Sequence, residues 1–194
     1  MRPSRDGTWN YQDLESARIY GRAEDPGTFA VLDDVFLKHE SEGGIAGPLG
    51  GPAGRERTSH DGRSRYQDFV GGRIYARDGN LVEIHGAVFL RHEQIDGVYG
   101  PLGYPTADLR RVEGSRGKVQ PFESGRIWYT ASTGAHAVWG AILDRYLEVE
   151  GGPTGPLGYP VAERTGTGSE GEVAQAFEHG TLVRRSDGTV GRRG

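Results

Sequence analysis

Pro101-Leu102-Gly103-Tyr104-Pro105 recurs 55 residues later as Pro156-Leu157-Gly158-Tyr159-Pro160. A shorter form, Pro48-Leu49-Gly50, begins 53 residues before Pro101. A Gln two residues before a large apolar residue recurs at similar steps, in Gln12/Leu14, Gln67/Phe69, Gln120/Phe122 and Gln175/Phe177. Four residues after each apolar residue stands Arg-Ile-Tyr or a relative, at Arg18-Ile19-Tyr20, Arg73-Ile74-Tyr75, Arg126-Ile127-Trp128 and Thr181-Leu182-Val183. Three landmarks that share one period indicate a tandem repeat of about 55 residues.

Each repeat is expected to contain a β-hairpin, a short helix and a Pro-Leu-Gly turn. The clearest hairpins have strands at 66–69 and 73–76, and at 119–122 and 126–130. Gly71-Gly72 and Ser124-Gly125 supply the turns, because Gly readily adopts the positive φ of a tight turn, and the flanking β-branched and aromatic residues favour a pleated surface. A terminal hairpin at 168–190 is expected to end the array without a helix.

A helix is predicted to follow each of the first three hairpins. Asn80 can cap the second helix, with Glu83 as the reciprocal partner three residues later. A left-handed residue is tolerated at a helix exit, which indicates that the helices end at Gly43-Gly44, Asp96-Gly97 and Gly151-Gly152. Apolar residues recur at helical spacing in three sets: Phe29, Leu32, Val35 and Phe36; Leu81, Ile84 and Val88; and Ala135, Val138, Ile142 and Tyr146.

The Pro-Leu-Gly turn has a local explanation. Pro presets φ for the second position of a type I turn, and Gly is favoured at the fourth position. The second Pro forces Tyr104 and Tyr159 into an extended conformation, which fixes the direction of each ring. Each ring either plugs the neighbouring repeat or faces a ligand, and its recurrence favours the plug.

These elements predict an α+β fold in which each repeat needs its neighbours to cover its apolar face. We expect a single repeat domain over residues 1–194, with units at about 9–53, 61–108 and 114–163 followed by the terminal hairpin. The array either closes on itself as a compact, pseudo-symmetric, propeller-like domain or stays open as a short solenoid. We favour the closed or nearly closed form.

Composition narrows the function classes. A formal net charge of −4 offers no attraction to phosphate backbones, so nucleic acid is not expected as a partner. The chain has no cysteine, which excludes thiolate chemistry, and no phosphate loop or metal-ligand spacing, so we expect no cofactor or metal. No apolar stretch is long enough to span a bilayer, and the first residues lack the apolar run of a signal peptide. The chain is therefore expected either to be cytoplasmic or to be a segment of a longer exported protein.

The third repeat carries the fullest pattern: FESGRIWY at 122–129, TGAHAVWGAI at 133–142 and GPLGYP at 155–160. With Tyr in place of Phe, this pattern resembles the LGFP repeat of bacterial cell-envelope proteins. The resemblance extends over about residues 9–190 and is strongest at 61–165. Proteins with such repeats are typically exported, often carry a catalytic domain beside the repeats, and are thought to hold it to the cell-wall glycan. The resemblance therefore implies a non-catalytic module that binds wall glycan.

Aromatic side chains are the candidate ligand contacts, because sugar rings stack on exposed aromatic faces while fixed polar groups bind the hydroxyls. The candidates are Tyr75, Trp128 and Tyr129 on the second hairpin strands and Tyr104 and Tyr159 in the turns. Strand alternation puts Trp128 and Tyr129 on opposite faces. Each of these rings is alternatively part of the core. The expected partner is a cell-wall glycan or a small-molecule ligand.

Other recurring polar residues are interpreted as structural. Gln12, Gln67, Gln120 and Gln175 are expected to tie strand to turn through backbone carbonyls. His39 and His92 occupy equivalent positions and match Tyr146, and we interpret the two histidines as solvent-facing helix residues.

Two alternatives come from other function classes. Asp33 and Asp34 stand where the later repeats have small residues, and with Glu83, His85 and His136 they are the candidate catalytic groups of an intracellular enzyme on a repurposed repeat scaffold. If the helices face a shared centre, burial there would shift pKa values and favour acid–base chemistry. An exposed helix face is the simpler explanation of Asp33 and Asp34. A protein–protein adaptor is the other alternative, because aromatic and Arg-rich surfaces also bind polypeptides.

Overall fold

The computed structural model describes residues 1–5, 7–22, 27–166 and 171–193. Within these ranges the chain forms sixteen strands in four separate antiparallel sheets, together with three α-helices. Each sheet has four strands whose spatial order follows the chain order, the arrangement of a β-meander. The fold is therefore α+β, and the recurring sheets are consistent with tandem repeats. The predicted start of the terminal hairpin, at residue 168, lies outside the described residues.

The chain divides into two compact units, Met1–Gly86 and Ala87–Gly194. The first unit contains two sheets and the helix α1 (Asp33–Ser41). Its first sheet consists of β1 (Arg2–Pro3), β2 (Trp9–Asp13), β3 (Ala17–Arg22) and β4 (Thr28–Leu32). Its second sheet consists of β5 (Arg57–Thr58), β6 (Arg65–Phe69), β7 (Gly72–Arg77) and β8 (Asn80–His85).

The second unit contains the other two sheets and α3 (Ala141–Glu148), and α2 (Gly86–Gln94) begins at the boundary between the units. Its first sheet consists of β9 (Arg110–Arg111), β10 (Lys118–Pro121), β11 (Gly125–Thr130) and β12 (Gly134–Trp139). Its second sheet consists of β13 (Thr165–Gly166), β14 (Val173–Phe177), β15 (Gly180–Arg184) and β16 (Val190–Arg192). A short 3-10 helix follows each α-helix, at Gly44–Ala46, Gly97–Tyr99 and Gly152–Thr154.

The predicted hairpins lie within β6–β7 and β10–β11, but the residues that follow them form a third strand where we predicted the helix to begin. In the second repeat the reason is the turn before that strand. Asp78 and Gly79 have φ values of 51° and 77°, the left-handed pair of a type I′ hairpin turn, and they return the chain along β7. Asn80 therefore pairs with Arg77 in the sheet and is not a helix cap. The same correction applies to β4 and β12.

The three helices begin later than predicted, directly after this third strand. Asp33, Gly86 and Gly140 stand at the three strand-to-helix junctions with φ values of 45°, 59° and 62°. A left-handed residue there turns the chain sharply from the sheet into the helix. The predicted left-handed exits are confirmed, because Gly43, Asp96 and Gly151 also have positive φ.

The Pro-Leu-Gly segments form the predicted turn. The amide of Gly50 donates to the carbonyl of Gly47 over 3.2 Å. Gly103 and Gly158 make the same bond with Gly100 and Gly155, over 3.4 and 3.1 Å. The closing Gly of each turn has a φ near 70°, which favours Gly at that position.

Each turn joins one helix to the next sheet through the same three contacts. The Pro two residues after the turn forms a bridge with the landmark Phe, in Pro52–Phe69, Pro105–Phe122 and Pro160–Phe177. A helix side chain hydrogen-bonds to the carbonyl of the turn Gly, over 2.8 Å for His39 to Gly50, 3.0 Å for His92 to Gly103 and 2.6 Å for Tyr146 to Gly158. The ring of that side chain lies on the Phe, with centroids 4.6, 4.8 and 4.5 Å apart.

The prediction that His39 and His92 face solvent is wrong. Both side chains are fully buried, since each ring fills the space between its helix, the turn and the following Phe. Tyr146 fills the same space in the third repeat, so the sequence match among the three residues reflects one packing role.

The repeat landmarks agree except at the first hairpin. The three Phe residues are buried, whereas Leu14 is 47% exposed, because it precedes the first Pro-Leu-Gly turn of this sequence. The structural role of the glutamines is confirmed for three of the four. The Nε2 of Gln67 donates to Gly54 over 2.9 Å, that of Gln120 donates to Ala107 over 3.1 Å, and that of Gln175 donates to Ala162. Gln12 is exposed.

The expected closure of the array is not found. Each described strand pairs only within its own four-stranded sheet, and the short outer strands leave every sheet with two edges. The described residues therefore contain no closed barrel, and no propeller is found among them.

Candidate functional site

Four of the five aromatic ligand candidates lie in the core. Tyr75, Tyr104, Trp128 and Tyr159 are each 3% exposed or less. Trp128 packs edge-on against Tyr146, with ring centroids 5.3 Å apart. These rings therefore offer no open face for a sugar in this conformation. Tyr129, on the other face of β11, is half-buried.

Tyr159 is a plug rather than a surface ring. Its ring covers Gly117, where a Cβ atom would overlap it, and its hydroxyl contacts Ser115 and accepts the Gly117 amide over 3.1 Å. The first repeat solves the same packing problem in reverse. Gly51 stands where Tyr159 does, and the ring of Trp9 on β2 covers it. Both repeats therefore place an aromatic ring over a glycine. In the third repeat the turn supplies the ring and the β9–β10 hairpin of the sheet supplies the glycine, and in the first repeat the sheet supplies the ring and the turn supplies the glycine.

The acid–base candidates of the first unit make three separate contacts. Asp33 accepts a hydrogen bond from the Ser16 hydroxyl over 3.1 Å, and Asp34 pairs with Arg65 over 3.1 Å. Glu83, which is buried, lies 3.5 Å from His85. These contacts place Asp34 and Glu83 with different partners, and both Asp33 and Asp34 reach the protein surface.

His136 makes a fourth contact, in the second unit. Its Nδ1 lies 3.0 Å from a carboxylate oxygen of Glu163, and its Nε2 lies 2.8 Å from the carbonyl oxygen of Thr133. Arg91 lies 3.3 Å from the same Glu163 oxygen. Among the described residues there is no group of three or more His, Cys, Asp or Glu side chains that could hold a metal ion.

A cavity of about 560 Å³ lies in the first repeat and is called here the first-repeat cavity. Its side-chain walls are Ser4, Arg5, Tyr11, Arg18 and Glu40, and its remaining wall is the chain at 43–46. The sheet and the helix position these groups together. Asp13 and Arg18 are paired across β2 and β3, Tyr11 is paired with Tyr20, and α1 ends beside them with its left-handed glycines.

Arg18 is the centre of the polar network in this cavity. Its Nε donates to Asp13 over 2.6 Å, and its Nη1 donates to Glu40 over 2.9 Å and to the Tyr20 hydroxyl over 3.4 Å. The Tyr20 hydroxyl also donates to Glu40 over 3.2 Å. The guanidinium carbon lies 4.7 Å from the centre of the Tyr11 ring, in a cation–π arrangement.

Burial and pairing shift the pKa values of this network in opposite ways. Burial first, and then the negative charge of Glu40, raise the pKa of Tyr20 to about 12 even though Arg18 opposes the shift. For Arg18, burial opposes the charge, but the hydrogen bonds to Asp13 and Tyr20 outweigh it and raise the pKa. Burial lowers the pKa of His39, which lies beneath the network. At neutral pH Arg18 is therefore charged, and the buried Tyr20 beside it is uncharged.

The network recurs in the second repeat and changes in the third. The second repeat has the same residue types at these positions, and Arg73 lies 2.6 Å from Asp68 and 4.7 Å from the centre of the Tyr66 ring. The third repeat keeps the arginine, as Arg126, and replaces the residues around it with apolar ones. There Val119, Pro121, Trp128 and Leu147 stand in place of Tyr11, Asp13, Tyr20 and Glu40.

Sequence reasoning missed Tyr11, Arg18 and Glu40 as a site. In the sequence Arg18 stands out only as a repeat landmark. A signal was present in the sequence, because Glu40 and Glu93 align with Leu147, and Tyr11 and Tyr66 align with Val119. Only the meander brings β2, β3 and the end of α1 to one cavity.

Within the described residues, no helix has the length and apolar character needed to cross a membrane. No curated protein matches the chain. Comparison with protein families identifies the LGFP repeat at residues 49–96 and again at residues 102–155. Each match begins at the Leu of a Pro-Leu-Gly turn and continues through the following sheet and helix. The two matches together cover more than half of the sequence, and the chain belongs to the LGFP-repeat family.

Proposed function

We propose that this chain is a non-catalytic repeat module that binds glycan of a cell envelope, and that a sugar occupies the first-repeat cavity. Membership in the LGFP-repeat family supports the repeat-module part of this proposal. The cavity supports the binding part. It combines an aromatic ring, a cation, a carboxylate and a hydroxyl around a volume in the usual range of small-molecule sites, about 300–1,000 Å³.

The observation that carries the proposal is the contrast between the first and third repeats. Glu40 is a partly buried charge paired with Arg18, at a position where the third repeat has the apolar Leu147 and leaves Arg126 without this carboxylate. Replacing such a pair with apolar side chains is often neutral or stabilising, so an ion pair is not needed there for stability. Its retention beside an open cavity favours a role in binding.

The aromatic candidates from the sequence take a smaller part in this proposal. Tyr129 is the one whose side chain reaches the surface, and it remains a proposed contact of the third repeat. Tyr75, Tyr104, Trp128 and Tyr159 are core residues and are not proposed as contacts.

The test is a pull-down on purified, insoluble cell-wall glycan with wild type and Tyr11→Val. Val is the residue that the third repeat has at this position, so the substitution suits the scaffold. We expect wild type to be retained and Tyr11→Val to lose roughly tenfold in apparent affinity, about 1.4 kcal/mol.

The matched control is Tyr66→Val, the same change in the second repeat. Its retention should equal that of wild type, and the melting curves should show that both variants fold. A wild-type protein that stays in the supernatant would end the proposal. Equal retention of Tyr11→Val and wild type would show that the first-repeat cavity is not the glycan-binding site.

A further inference from the structure

We infer that the first-repeat cavity takes an uncharged ligand with neighbouring hydroxyl groups, held between Arg18 and Glu40. The inference rests on the proposed function and specifies its ligand class. Three features of the cavity carry it: the balance of its charges, the hydrogen-bonding atoms that face it, and its size.

The charge of Arg18 is already balanced by two carboxylates. Arg18 lies between Asp13 and Glu40, at 2.6 and 2.9 Å, and Arg5 carries the only other charge among the described side chains that line the cavity. An anionic ligand would have to compete with two carboxylates for the same guanidinium, and close like charges repel strongly at a partly buried site. A neutral ligand avoids this cost.

The hydrogen-bonding atoms of Arg18 and Glu40 suit a pair of hydroxyls. Within the described ranges, the Nη2 of Arg18 and the Oε2 of Glu40 make no protein hydrogen bond, and the Glu40 side chain is 33% exposed. Nη2 can only donate and Oε2 can only accept. A hydroxyl does both, so one hydroxyl can accept from Arg18 while its neighbour donates to Glu40.

The remaining surface of the cavity suits a sugar ring in size and polarity. Tyr11 and Ile45 supply apolar surface for the carbon-bound hydrogens of a ring. The chain at 43–46 leaves α1 through two left-handed glycines, so backbone rather than side chains forms that wall. A volume of about 560 Å³ fits a ligand of small-oligosaccharide size.

The test compares a neutral and an anionic probe of equal length, maltotetraose and tetragalacturonate, which both carry neighbouring hydroxyls on every ring, as competitors of retention on wall glycan. Each is measured at about 50 mM and about 500 mM salt, because salt screens charge attraction and leaves neutral binding unchanged. We expect the neutral probe to compete at both salt concentrations. Glu40→Gln should weaken its binding roughly tenfold, the cost of losing a hydrogen bond to a charged group.

Glu93→Gln is the matched control, since it changes the same helix position in the second repeat and should leave the neutral probe bound as in wild type. If Glu40→Gln melts early, Tyr11→Val replaces it, because that variant keeps the Arg18 ion pairs. Three results overturn the ligand class while the protein is still retained on wall glycan. They are competition by tetragalacturonate alone, competition that is lost at high salt, and no competition by the neutral probe. Absence of retention on wall glycan overturns the proposed function itself.

Discussion

At the residue scale, one helix position shows two chemical solutions to the same packing problem. His39 and Tyr146 both hydrogen-bond to the turn Gly and both lie on the following Phe. Tyr146 stays uncharged over the ordinary pH range, because burial raises its pKa. His39 is titratable, and burial lowers its pKa below the ordinary value of 6.5. The histidine therefore makes the first junction sensitive to acid.

This difference predicts a pH dependence of stability with a definite sign. In the unfolded chain the imidazole of His39 protonates below about pH 6.5. In the folded chain burial outweighs the favourable charge of Glu40, and the charge of Arg18 also opposes protonation, so the imidazole stays neutral to lower pH. The Tyr20 hydroxyl lies beside this imidazole. The contribution is therefore present above about pH 6.5 and decreases as the pH falls through this value towards the folded-state pKa. Urea unfolding from pH 8 to 5 should show this decrease.

His39→Tyr copies the third repeat and should flatten the acid limb of that profile. His179→Gln changes an exposed histidine and serves as the control, with a profile parallel to that of wild type. If His39→Tyr and wild type lose stability in parallel, the acid sensitivity does not come from this junction.

Two adjacent residues, Trp128 and Tyr129, separate core from surface. Trp128 is 2% exposed and packs on Tyr146, while Tyr129 is half-buried on the other face of the strand. Trp128→Ala should lower the free energy of unfolding by about 3–5 kcal/mol, because it leaves a large cavity. Tyr129→Ala should cost roughly 1 kcal/mol or less. Chemical denaturation measures both, and similar losses in the two variants would contradict the assigned faces.

At the scale of the element, buried glutamines fix three of the four sheets to the segment that precedes each of them. Gln67 is fully enclosed, and its Nε2 donates to the carbonyls of Ala30 and Gly54 over 3.0 and 2.9 Å. Gln67→Leu removes both hydrogen bonds and leaves two buried acceptors, so it should cost about 1–3 kcal/mol of unfolding free energy.

Gln12→Leu is the natural control for this prediction. The residue has the same repeat position but is exposed, so its replacement should change the free energy of unfolding by less than about 0.5 kcal/mol. Equal effects of the two substitutions in urea titrations would show that the carbonyl contacts contribute nothing.

At the scale of the whole molecule, the array depends on neighbouring blocks to cover its apolar side chains. In the second unit, Trp128, Ile142 and Tyr146 share a core with Leu157, Tyr159, Phe177 and Leu182 from the segment that follows. A chain ending at residue 155 loses these four side chains, each of which contributes roughly 1.5–3 kcal/mol when buried. We expect a much lower melting temperature for the third repeat.

A chain ending at residue 192 keeps all four side chains and should melt close to the full chain. Calorimetry compares the three lengths. If the chain that ends at residue 155 melts with the others, the third repeat is stable without its neighbour, and the dependence between blocks fails.

The sequence by itself determined the repeat period, the two-stranded hairpins, the Pro-Leu-Gly turns, the left-handed helix exits and the role of three glutamines. These features are set by local chemistry: Gly and Asp at positive φ, Pro at a fixed φ, and a side chain that reaches a nearby carbonyl. The Asp78-Gly79 turn is also set by local chemistry and could have predicted β8. The helical spacing of Leu81, Ile84 and Val88 instead predicts a helix there.

Tertiary structure alone decided which histidines are buried, which aromatic rings face solvent, that no closed ring forms in the described residues, and that Tyr11, Arg18 and Glu40 share a cavity. Each of these depends on which surfaces meet after the meander folds. The spacing of these residues along the chain does not predict which surfaces come into contact, because burial is a property of contacts between elements rather than of one element.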